Sequence, residues 1–373
     1  MTEHQSLTTG EATEGAAPTP ATQQVAGVRG PVACWREGAR RVHRAPAIIL
    51  AVWVLSLVIA LPMGLVLRGM IRDSLGVSLA AEAAAEGVNY DWWNEFIDEA
   101  AGLGRTFVPA IIGFAAPLKN LSDLVDNAAL AGTAVVAVAA WLVLWAFIGG
   151  GIIDRYARGR TTRTPGFFAA CGVFFFRFLR LGAMAWIAYW FLFAHVHGWL
   201  FEDGYTRWTR DLNVERTAFF IRLGLYLLFA GTLALVNLVI DYAKIRAVVE
   251  DRRSMIGALV AGGRFVRHHA GATIALYLLN TLVFAAILLA YRLVAPGAGW
   301  SGTGVWLAFA TVQAYILARA WAKLVFLGSQ TALFQSRLAH AGYAAFPERR
   351  AFDPPIVEAL GPPPAAEPRS ARV

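Results

Sequence analysis

Residues 36–69 read REGARRVHRAPAIILAVWVLSLVIALPMGLVLRG. Four arginines, Arg36, Arg40, Arg41 and Arg44, precede an apolar run that starts at Ala47. That run is as long as the roughly 20 residues a helix needs to cross a bilayer. Hydrocarbon offers no partner to backbone amides, so a crossing segment bonds its own and is helical. The run begins too deep in the chain, and is too long, to be the core of a cleaved signal peptide. It is expected to remain as a span.

The same pattern recurs downstream. Spans are expected at 47–69, 130–153, 173–196, 217–241, 271–294 and 303–327. The fold class is therefore an all-α, polytopic membrane protein with six transmembrane helices. Composition agrees: 57% of the 373 residues are hydrophobic and 16% charged, against roughly 25% charged in soluble domains. Residues 1–30 and 346–373, rich in Ala, Thr, Gly and Pro, read as disordered tails flanking a membrane domain at 31–345.

Flanking charge sets the expected orientation. Arg155, Arg158, Arg160 and Arg163 stand between spans two and three, and Lys244, Arg246, Arg252 and Arg253 between spans four and five. Arg337, Arg349 and Arg350 follow span six. The alternate loops are acidic or uncharged. By the positive-inside rule both termini are expected in the cytoplasm; the resemblance given below implies a bacterial inner membrane. The net charge of +8 is thereby assigned to orientation and anionic headgroups, and nucleic acid is not expected as a partner. Cys34 and Cys171 belong to no metal-ligand pattern and read as reduced thiols.

The loop at 70–129 departs from the pattern. Within it, Trp92 and Phe96 fall on one helical stripe with Trp93 beside them, while Asp91, Glu95, Asp98 and Glu99 share the other side. This is an amphipathic helix suited to the outer interface, with the aromatics as anchors, or as a lid or docking surface for a protein partner. The stretch 105–118, short and carrying Pro109 and Pro117, reads as interfacial or re-entrant.

An internal similarity lies at an offset of 87 residues. VFFFRFLRLGAMAWIA at 173–188 aligns with VAGGRFVRHHAGATIA at 260–275, pairing Arg177 with Arg264, Phe178 with Phe265 and Arg180 with Arg267. The same offset carries Ile153-Asp154 onto Ile240-Asp241. Arg40-Arg41-Val42-His43-Arg44 is a weaker third copy. Convergence on basic flanks is one explanation; three repeated helix pairs, each led by a basic segment, is the other. Ala247-Val248-Val249-Glu250, Ala258-Leu259 and Gly263-Arg264-Phe265 before a new span resemble the membrane domain attached to some glycerophosphoryl diester phosphodiesterases and related six-span bacterial proteins. The resemblance covers about 217–330 and implies architecture; there is no room in the chain for the catalytic domain.

Polar groups near spans are the candidate chemistry, because their burial in lipid is costly. Asp154 and Asp241 end spans two and four. Asn237 sits one turn before Asp241, and Arg319 and Lys323 share a face of span six. Together they are expected to line a cytoplasm-open cavity, or else to pair structurally or snorkel. Arg40, Arg41, Arg177, Arg180, Arg264 and Arg267 are the candidate headgroup-binding cations. His195 and His197 diverge on a helix and are not expected to hold a metal. No nucleophile elbow, zinc-protease or dinucleotide fingerprint is present, and no cofactor is expected. The expected function is a non-enzymatic module that binds membrane lipids or a protein partner; the alternative is a small-molecule or lipid transporter.

Overall fold

The computed structural model describes residues 29–108, 119, 122–124, 126–128, 132–159, 163–296 and 302–338. Among these every regular element is helical. The helices are α1 (Pro31–His43), α2 (Pro46–Leu75), α3 (Ala81–Glu86), α4 (Tyr90–Glu99), α5 (Gly132–Arg158), α6 (Thr164–Phe191), α7 (Glu215–Val249), α8 (Met255–His268), α9 (Ala270–Val294) and α10 (Thr303–Arg337). Helix α6 continues through two π-helical turns to Thr209. Six of these helices are long and apolar enough to cross a membrane: α2, α5, the continued α6, α7, α9 and α10. Their outward faces carry exposed apolar side chains such as Val136, Leu227, Leu282 and Trp306. Water would not tolerate so much exposed apolar surface on a folded chain, whereas lipid does. The chain is a multi-pass membrane protein.

The three basic lead-in segments are helical but differ in how they join their spans. Pro46 lacks the amide that would continue α1 and restricts Ala45, so the helix breaks there and α2 begins. Helix α8 stops at His269, whose backbone leaves the helical region (φ −120°, ψ 31°) before α9 starts. The segment around Arg177 and Arg180 has no such breaker and forms one helix with span three.

Each lead-in stands antiparallel against the end of another helix rather than lying flat. Helix α1 runs along α10, from Cys34 beside Ser336 (3.9 Å), past Gly38 on Ser329, to His43, whose Nε2 accepts from Trp321 Nε1 at 3.1 Å. The start of α6 runs along α5, with Phe174 on Gly150 and Cys171 on Gly151. Helix α8 runs along α7, with Gly262 on Val239 and Ala243. A glycine permits each close approach, as small residues do wherever membrane helices pack tightly. The most extensive packing thus joins span two with span three, lead-in α8 with span four, and lead-in α1 with span six, the last bringing the start of the described chain onto its end.

Between α7 and α8 the chain turns sharply. Arg252 N–H donates to Ala247 O and Asp251 N–H to Val248 O, a Schellman cap with Asp251 in the left-handed region (φ 47°). Ser254 then caps α8, accepting from Gly257 N at 3.2 Å. Arg177 of α6 reaches this turn, pairing with Asp251 and donating to Arg252 O at 3.3 Å. Arg41 of α1 likewise reaches the end of α5, donating to Tyr156 O and to Gln335 Oε1, each at 2.9 Å. The paired helices are stitched to their neighbours by these arginines.

The core therefore sits at the end of the bundle that carries α1 and the close of α10, hereafter the terminal face. Residues 148–154 of α5, 240–243 of α7 and 327–334 of α10 are buried without interruption. Tyr156, Tyr242, Phe174 and Phe334 fill the centre. Toward the opposite end the same helices expose apolar side chains.

The aromatic stripe of α4 is turned inward, contrary to the expectation of an outer anchor. Trp92 and Phe96 are only 6% and 5% exposed, packed with Met70, Ile71 and Leu75 at the end of α2. Trp92 Nε1 donates to Ser74 Oγ (3.1 Å) and Trp93 Nε1 to Phe107 O (3.0 Å). Helix α2 runs past the expected span end at residue 69, which gives α4 a partner and makes the stripe an intramolecular core. Most of the expected re-entrant stretch, 109–118, and the two tails, 1–28 and 339–373, lie outside the described residues.

Candidate functional site

Where the packed end gives way to the looser end, a cavity of about 970 Å³ lies between α5, α6, α7, α9 and α10. This is near the upper end of the size range of small-molecule sites. Toward the terminal face the cavity is lined by the buried Ile153, Phe178, Asp241 and Leu327, with the buried body of that face beyond them. Its walls include Leu142 and Trp186, which are 61% and 68% exposed. The lead-in helices fill the terminal face, and the cavity opens among the apolar flanks of the spans.

Four of the five expected cavity residues line this space: Asn237, Asp241, Arg319 and Lys323. Asp241 accepts from Lys244 Nζ at 3.0 Å, one turn along α7. Asn237 Nδ2 lies 3.4 Å from Asp241 Oδ2 and 3.5 Å from Tyr277 OH. Lys323 Nζ sits 3.7 Å from the centre of the Trp145 ring, and Arg319 lies over Tyr315 at 5.6 Å. Aromatic faces thus hold both cations, and no carboxylate among the described residues forms an ion pair with either. A cation held by a ring face keeps its N–H donors free for an anion.

Asp154 is the exception. It is buried, 2.9 Å from Arg158 on its own helix, and does not line the cavity. Ile153 does. One residue is a 100° step around a helix, enough to take the carboxylate off the cavity face. The alignment of Asp154 with Asp241 therefore does not extend to a shared environment.

Lys244, Trp145, Tyr277 and Asn280 belong to the cavity and were not singled out from the sequence. Asn280 bonds Leu276 O and Ser329 Oγ, at 2.9 and 3.0 Å. Tyr277 and Asn280, three apart inside an apolar span, were the available signal. In the sequence Lys244 reads only as a flanking charge.

The six candidate headgroup arginines divide. Arg41 and Arg177 are committed to neighbouring helices, as described above. Arg40 pairs with Glu37 at 2.7 Å, and Arg180, Arg264 and Arg267 are exposed. His195 is exposed beside Trp190 and Phe191, while His197 is buried against Phe201 and Phe229.

Fold and cavity together define a class: a helical multi-pass membrane protein with a cation-lined, laterally open cavity inside its bundle. Comparison with protein-family models, with curated proteins and with solved structures yields no match.

Proposed function

We propose that the chain is a non-enzymatic membrane module that binds an anionic, lipid-like ligand in this cavity. The observation that carries the reading is the charge of the lining. Lys244, Arg319 and Lys323 share with a single carboxylate, Asp241, a cavity whose remaining walls are mostly apolar and aromatic, with Asn237, Asn280 and Thr281 the neutral polar side chains among them. Cations within a membrane are costly to keep and point by default to a functional site. The basic flanks support cytoplasmic termini, and the six-span resemblance supports a bacterial inner membrane. The glycine contacts in three helix pairs, and the arginines joining two of the three junctions, support derivation from a repeated unit. Architectural kinship with the membrane domain of glycerophosphoryl diester phosphodiesterases is part of the same proposal and adds no activity. A protein partner at the 70–108 region would meet Val77, Leu79 and Tyr90, which are exposed.

The test is lipid analysis of the purified chain. Wild type should carry anionic lipid enriched over the membrane it came from. The double variant Arg319→Gln, Lys323→Ala should lose that enrichment while eluting and melting as wild type does. A wild-type lipid complement identical to the bulk membrane would sink the proposal. Orientation is checked by labelling Gly30→Cys, an exposed position with open space around it; modification from outside intact cells would reverse it.

A transporter is the second reading, favoured by the one-sided closure of the cavity. Asp241→Asn in liposomes should then abolish an anion flux that wild type supports.

A further inference from the structure

The charge balance of the cavity narrows its ligand. This step rests on the binding reading above. Three cations and one carboxylate line the space, and Lys244 already engages the carboxylate. The lining therefore carries a net charge of +2. Arg319 and Lys323 are exposed into a cavity whose walls are mostly apolar, where an uncompensated charge is expensive, so the best occupant brings the balancing charge with it. A zwitterionic headgroup brings none, and its amine would meet Lys323 and Arg319. A phosphate diester brings one negative charge and leaves one cation unbalanced. A phosphate monoester carries close to two near neutral pH, and its three terminal oxygens match donors on separate helices, Lys244 on α7 and Arg319 and Lys323 on α10.

The walls decide between free phosphate and a lipid. Leu142, Leu179, Trp186 and Phe284 line the cavity yet are exposed at its flank. A hydrocarbon chain leaving there would cover them and pass into the surrounding acyl phase. Inorganic phosphate would cover none of them. We infer that the cavity binds a lipid phosphate monoester, with its dianionic head against Lys244, Arg319 and Lys323 and its chains leaving laterally past Leu142 and Trp186.

The full chain is placed in nanodiscs of phosphatidylcholine doped with phosphatidate, a monoester, or with phosphatidylglycerol, a diester of the same acyl chains. Retained lipid is read by native mass spectrometry at neutral pH. The monoester should bind at least about tenfold more tightly than the diester, and millimolar inorganic phosphate should not displace it. Lys323→Gln should reduce that preference to a few-fold, while Lys323→Arg, which keeps the charge, should preserve it. Equal retention of monoester and diester would overturn the inference and leave anionic-lipid binding standing. Displacement by inorganic phosphate would overturn the lipid assignment in favour of the free anion. Retention of neither anionic lipid above phosphatidylcholine would overturn this inference together with the proposed function. A Lys323→Gln protein that folds and keeps the full preference would also overturn it. If that variant does not fold, the wild-type ratio still decides.

Discussion

Cys34 carries the first residue-scale prediction. It is wholly buried between α1 and α10, and burial pushes its thiol above the ordinary value, with Ser336 offsetting part of the rise. A thiol that is both buried and protonated reacts slowly. Maleimide at pH 7.5 should modify Cys34 more than about tenfold more slowly than an exposed cysteine, and at an equal rate after unfolding. Glu250 carries the second. Burial raises its carboxyl, but donation from Arg246 and Arg252 outweighs this and leaves it below the usual range. A depressed carboxylate contributes stability above its unfolded value, near pH 4.3, and loses it as pH falls through the folded one. Glu250→Gln should therefore cost about 1 kcal/mol at pH 7, and less at pH 3.5, as read by thermal unfolding in detergent. Residue types at these places were legible, but their environments were not. Cys34 looks like an ordinary free thiol because its partner helix, α10, is remote in sequence, and Trp92 like an anchor because its partner is the extension of α2 beyond residue 69.

At the scale of elements, the three close helix contacts lead to a prediction about glycine. A Cβ at Gly38 would overlap the backbone of Ser329, which cannot move aside as a flexible side-chain tip could. Gly38→Ala should destabilise by about 1–3 kcal/mol, whereas Gly64→Ala, with open space around it, should be neutral or slightly stabilising. The Gly149–Gly151 run suggested close approach from sequence, and Gly150 and Gly151 meet Phe174 and Cys171 there. Gly38 sent no such signal, since it stands alone in a basic segment. Element ends were less legible than element existence. The even spans were expected to stop at residues 153, 241 and 327, yet the helices run to Arg158, Val249 and Arg337. Hydropathy ends where polar residues begin, but here those residues are buried in the terminal-face body and the helix goes on.

At the scale of the whole molecule, the pairing of α10 with α1 makes chain end and chain start neighbours. New termini opened between residues 159 and 163, with the present tails left joined as a linker, would preserve every helix pair described. Such a permuted chain should purify as a monodisperse species with wild-type thermal stability. Aggregation would show that the order of membrane insertion, and not the final packing, governs folding.

The sequence by itself determined the environment, the helical class and the number of crossing segments, because each is a local consequence of apolar length and of backbone amides that hydrocarbon leaves unpaired. It also named four cavity residues, since ionisable and amide groups near lipid stand out by composition alone. Only the tertiary structure decided which of them share a space. Asp154 leaves the cavity on a single helical step, Lys244 and Trp145 join it, and the terminal end closes because lead-in helices pack against partners far away in the chain. Those outcomes depend on rotational phase and on non-local contact, which periodicity along one strand of sequence does not encode.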